Sequence, residues 1–131
     1  MIPVIVPAYT AILALIYIFL SVRVIRSRVT ERVKIGTGGN RMVERRMRIH
    51  ANFAEYVPLA IILLVFMEMQ GRPSWWLHLL CIVLVLARIG HVIALWKDEE
   101  IFSLRVATVA ATFVIIACGS ASALARALQL W

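Results

Sequence analysis

Hydrophobic residues fall in long unbroken blocks along this chain, with polar residues clustered between them. Residues 2–22 and 106–125 carry no charged side chain. Each block approaches the ~20 residues that a helix needs to cross the hydrocarbon core of a bilayer. Two further apolar runs lie between them, so the pattern predicts four helices over about 3–28, 43–69, 75–96 and 101–128. Pro3 and Pro7 fall in the first turns of helix one, where proline is tolerated. The cluster GTGGN at 36–40 breaks the chain before helix two. Pro58 lies inside helix two and predicts a kink near Ala54. QGRPS ends that helix, and Trp75 and Trp76 open helix three as an interfacial aromatic pair. KDEE at 97–100 is a short turn into helix four, with Trp131 at its end. The expectation is an all-α integral membrane protein, a four-transmembrane-helix bundle in one domain over residues 1–131.

Composition strengthens that reading. Of the 131 residues 63% are hydrophobic and mean hydropathy is +0.91, against roughly 45–50% apolar in soluble domains. Residues 1–22 do not read as a secretory signal, because basic residues follow the apolar run and none precedes it. A retained membrane helix is expected there. Helix four is rich in small residues, among them Ala110, Ala111, Gly119 and Ser120, which allow close helix–helix approach.

Charge orients the bundle. Residues 23–48 hold nine Lys/Arg and two Glu, a balance of +7, while the rest of the chain has five basic and five acidic residues. A basic stretch between two apolar segments is a topology signal before it is a nucleic-acid site, so no nucleic-acid partner is expected. Anionic head groups are a secondary attraction. Loops one and three are the charged ones and loop two carries only Arg72. Both charged loops are therefore expected in the cytoplasm and both termini on the far side.

Several features carry little chemistry. Cys81 and Cys118 sit in apolar runs without metal-like spacing and read as buried small residues. The GxGG of loop one lacks a P-loop lysine. No metal site is expected. His78 beside the tryptophans reads as interfacial, Glu68 as a solvated residue near a membrane boundary, and Tyr9 and Tyr17 as core or belt residues.

The stretch RMRIHANFAEYVPLAIILL at 46–64 is different. Arg48, Asn52 and Glu55 stand at i, i+4 and i+7 of helix two, within ~60° of one another on one face. His50 points nearly the opposite way. Charges in a membrane helix are costly and are paired or functional. An internal Arg–Glu pair sealing the bundle would explain part of the stripe. Helix three adds Arg88 and His91 at i and i+3, Arg105 follows the last turn, and Arg23 and Arg26 end helix one at the same level. That excess of arginine implies an anionic ligand. Arginine forks hold carboxylates, Glu55 suits an ammonium, and Asn52 suits a peptide group. A small peptide with two carboxylates and one amine meets all three.

These residues also carry a resemblance. ERRMRIHANFAEYVPL, with ARIGH and SLR downstream, resembles the MAPEG family, the membrane-associated proteins in eicosanoid and glutathione metabolism. The family's R-x-[HQ]-x-N-x-x-E is matched by Arg48, His50, Asn52 and Glu55. Tyr56 is like that of the leukotriene C synthase branch, and Arg88 with His91 is like the R-x-x-H of the prostaglandin E synthase branch. The resemblance covers all four helices. It implies a homotrimer in the membrane lipid, with glutathione as cofactor between neighbouring protomers near the cytoplasmic face. Arg48, Asn52, Glu55 and Tyr56 would contact glutathione. His50 and His91 would be site or supporting residues, and Arg88 a carboxylate or structural contact. Arg26, with Arg23 as alternative, would be the contribution of helix one. Arg105 would be the catalytic arginine beside the thiol. One position departs from the pattern: Leu95 stands where the family often has a tyrosine, which removes a hydroxyl contact.

The activity so implied is a glutathione-dependent transferase or peroxidase acting on lipophilic small molecules or lipid hydroperoxides. A non-catalytic glutathione- or lipid-binding protein is the alternative, and a small transporter a third. A transporter needs polar residues down the whole bundle, and here they crowd one half. A short chain without targeting extras points to a bacterial inner membrane.

Overall fold

The computed structural model describes residues 2–97 and 99–128. Four helices, each long and apolar enough to cross a membrane, make up the chain: α1 (Ile5–Thr30), α2 (Arg41–Met69), α3 (Ser74–Ala94) and α4 (Phe102–Leu128). They agree with the expected helices to within about two residues at each end, the usual uncertainty of helix termini. Trp131, and Asp98 of the KDEE turn, lie outside the described residues. The architecture is all-α, as its hydropathy dictates. In a bilayer every backbone N–H and C=O must find a partner within the chain, and helices satisfy that requirement segment by segment.

Several helix ends have an identifiable cause. Asn40 caps α2, its Oδ1 accepting from the N–H groups of Met42 (2.9 Å) and Val43 (3.1 Å). Its amide also donates to Glu31 at 2.7 Å, which ties the start of α2 to the end of α1. The C-terminus of α2 closes in a Schellman arrangement. Gly71 N–H donates to Glu68 O at 3.0 Å and Arg72 N–H to Met67 O at 3.2 Å. Gly71 has φ +73°, where a side chain would be strained. α2 continues through Pro58 as one helix, and the missing N–H leaves Ala54 O without its usual i+4 donor. Loop three is closed by Ile101 N–H donating to Ala94 O at 3.0 Å. That bond sets the register of α4 and hence of Arg105.

α2 and α3 form the middle of the bundle. α1 packs on one side of them and α4 on the other, and α1 and α4 do not touch among the described residues. Gly119 brings α4 close to α2, since a Cβ there would lie 2.6 Å from Leu63 Cβ.

Glu68 corrects an expectation. It is not solvated at a membrane boundary but buried, 5% exposed. Its carboxylate accepts from the backbone N–H groups of Val4 (2.7 Å), Ile5 (2.6 Å) and Val6 (2.8 Å). A helix N-terminus leaves its first N–H groups unpaired and carries a partial positive charge. Glu68 of α2 supplies the cap that α1 lacks in its own sequence.

Candidate functional site

At the end of the bundle that carries loops one and three, α2, α3 and α4 enclose a cleft of about 560 Å³. Its polar wall holds Arg48, Asn52, Glu55 and Tyr56 of α2, His91 of α3 and Arg105 of α4. Its apolar wall is built by Leu95, Val106, Val109 and Phe113, among others. The i, i+4, i+7 spacing therefore does what helix geometry requires, aligning three polar side chains on one face. Arg105 joins them because the first turn of α4 packs beside that face.

Arg88 is the structural centre of this arrangement. It is 1% exposed and does not line the cleft. One guanidinium nitrogen donates to Asn52 Oδ1 at 2.9 Å; another donates to Thr108 O at 3.2 Å and to Thr112 Oγ1. One buried cation thus joins α2, α3 and α4. Of the two roles expected for it, ligand carboxylate contact or structural contact, its hydrogen bonds are structural.

That bond also orients Asn52. Guanidinium has donors only, so it must face the amide oxygen. The NH₂ of Asn52 is then left for the cleft, which receives a hydrogen-bond donor there and not an acceptor. His91 is buried and lines the same cleft, and its Nδ1 has no hydrogen-bond partner among the described residues. Tyr56 stacks edge-on against Phe113, with ring centroids 5.2 Å apart, where the polar wall meets the apolar one. Arg105 donates to Glu100 of loop three at 3.0 Å. Both side chains are about two-fifths exposed, at 40% and 39%.

Besides Arg88, two expected site residues are not brought to this cleft within one chain. His50 faces α1, where Nε2 lies 3.0 Å from Ser21 Oγ and the ring stacks on Tyr17 at 4.8 Å. Its position, half a turn from Asn52, decides this. Arg26 is exposed on α1, and no α1 residue lines the cleft. Arg23, the alternative from helix one, lies over the Trp96 ring at 3.7 Å. Sequence reasoning missed Glu100, Thr108 and Thr112. The two threonines carry a signal in retrospect: they are polar positions one helical turn apart in an apolar helix, three and seven residues after Arg105.

The chemistry of this set suits an anionic ligand with an amine. It holds two cations, one carboxylate and an amide donor, beside an apolar wall. A sequence model described as "MAPEG family" matches residues 6–125. The chain belongs to the MAPEG family. It is also 41% identical over 83 residues to the "Inner membrane protein YecN" of Escherichia coli (strain K12), and equally to the protein of that name in Escherichia coli O6:H1 (strain CFT073). Each match covers 63% of this chain and 63% of the relative's own length. MAPEG members include enzymes and non-enzymes, so the family alone does not specify the reaction of this member.

Proposed function

We propose that this MAPEG member is a glutathione-dependent transferase or peroxidase of a bacterial inner membrane, acting on lipophilic electrophiles or lipid hydroperoxides. The observation that carries the proposal is the convergence of Arg48, Asn52, Glu55 and Arg105 on one cleft with an apolar wall. The donor set fits glutathione: Arg48 would hold a carboxylate, Glu55 the ammonium and the Asn52 amide a peptide carbonyl. Glutathione supplies a thiol, whose free form titrates near ~8.5 and is lowered by an adjacent cation. Arg105 is that cation in this reading. It cannot lose its proton, so it acts as a fixed charge that favours the thiolate and not as a base. Val106, Val109 and Phe113 would admit the apolar partner. The charged loops and the cleft would face the cytoplasm, and the protomers would assemble as a homotrimer, as the family resemblance implies.

One observation favours the non-catalytic alternative. The ion pair with Glu100 offsets part of the charge on Arg105. The test is glutathione-binding calorimetry on detergent-solubilised protein, paired with ultraviolet difference spectra of the thiolate band. Binding in the millimolar range or tighter, with a thiolate band that Arg105→Ala abolishes while part of the binding survives, is expected. No binding at millimolar glutathione removes the proposal, and binding without a thiolate band moves the protein to the non-catalytic class.

A further inference from the structure

The same end of the bundle holds two other cavities beside the cleft described above. One is a groove of about 860 Å³ between α1 and α3, walled by Ile16, Phe19, Ile89, Val92 and Ile93. Its mouth carries Lys97 together with Glu99 and Glu100 of loop three, and Glu100 is paired with Arg105. The other is a notch of about 340 Å³ whose charged lining is Arg23, Arg45, Arg46 and Lys97. No acidic side chain lines the notch among the described residues. The two cavities adjoin at Trp96 and Lys97, which line both. Arg23 marks the junction, its guanidinium 3.7 Å above the Trp96 ring. A planar cation stacked on an indole is held in place while its N–H edge stays available.

An apolar groove that ends in a cationic notch, at the level of an interfacial tryptophan, has the polarity profile of one molecule: a phosphate with a hydrocarbon chain. We propose that groove and notch together hold an anionic phospholipid, its phosphate against Arg23, Arg46 and Lys97 and one acyl chain along the α1–α3 groove. Charge complementarity selects the head group, and contact of the two cavities selects a lipid over a free anion. Leu95 lines both the notch and the cleft of α2, α3 and α4, so the two sites adjoin there. Where a tyrosine would present a hydroxyl, leucine presents an apolar side chain.

The test is lipid retention by native mass spectrometry of the full-length protein, delipidated and then exposed to equal amounts of phosphatidylglycerol and phosphatidylcholine. Preferential retention of phosphatidylglycerol is expected, and equal retention by the wild type overturns the proposal whatever the variants do. Arg46→Gln and Lys97→Gln should each reduce that preference about fivefold. Arg126→Gln, a cation at the other end of α4, should leave it unchanged. A reduction by Arg126→Gln as large as by Arg46→Gln would mean general charge attraction and would overturn the site. Excess inorganic phosphate should not displace the lipid; displacement would mean that the notch binds phosphate without the groove. Melting temperature in detergent separates loss of lipid from loss of fold.

Discussion

Asn52 stands between a buried cation and an open cleft, and its two ends have different tasks. Its oxygen accepts from Arg88 and its nitrogen is left for a ligand. Asn52→Asp separates the two. The carboxylate would still accept from Arg88, now as an ion pair, so the melting temperature in detergent should hold or rise. The cleft would lose its donor and gain an anion. A hydrogen bond between neutral groups contributes about 0.5–1.5 kcal/mol, and the new anion opposes a ligand that carries two carboxylates, so glutathione affinity should fall about tenfold in calorimetry. Wild-type affinity in a folded variant would sink the assignment of Asn52 as a ligand donor. Arg105 is the other residue with two claims on it. Glu100 takes part of its charge, and an exposed pair of this kind is worth about 0.2–1 kcal/mol. Glu100→Gln should release that charge to the thiol and raise the thiolate fraction at neutral pH by up to about fivefold. The check is the thiolate absorbance at saturating glutathione, and an unchanged band would mean that Glu100 does not compete.

The helices themselves were legible because lipid leaves the backbone few options. Long uncharged runs, the GTGGN break and the Trp75–Trp76 start placed four spans near their observed bounds. The stripe Arg48–Asn52–Glu55 was legible for the same reason, since helix pitch alone aligns it. What the sequence did not reveal depends on which helix packs against which. Glu68 reads as a boundary residue until the start of α1 is brought beside it. Arg88 reads as either a ligand carboxylate contact or a structural one until its hydrogen bonds to Asn52, Thr108 and Thr112 are in view. The role of Glu68 belongs to the element it caps. Glu68→Gln keeps the volume and one acceptor oxygen but loses the charge facing three N–H groups. A loss of about 1–3 kcal/mol is expected, read as a lower melting temperature in detergent. Glutathione affinity should stay unchanged, because the capped start of α1 and the cleft lie at opposite ends of the bundle. A coupled loss of affinity would show that α1 positions the cleft after all.

That separation matters for the assembled molecule. α1 and α4 flank the bundle on opposite sides, and no α1 residue lines the cleft that holds Arg105, so Arg26 stands apart from it within one chain. His50 is likewise turned to the α1 side, against Ser21 and Tyr17. If both helix-one and helix-four arginines serve one glutathione, as the resemblance implies, they must come from different copies. The proposed homotrimer makes this testable by complementation. Arg26→Ala and Arg105→Ala protomers should each be inactive, or nearly so, as homotrimers. A site shared between neighbours needs Arg105 from one protomer and Arg26 from the next. In randomly mixed trimers, co-expressed in equal amounts, one protomer retains Arg105 and its neighbour Arg26 in about a quarter of the interfaces. Turnover near that fraction of wild type is expected with a generic aryl halide. If each site were built within a single chain, every protomer in the mixture would still lack one arginine and no activity would return. If Arg26 plays no part in the site, its own variant would keep full activity as a homotrimer, and the cleft of α2, α3 and α4 would have to account for binding alone.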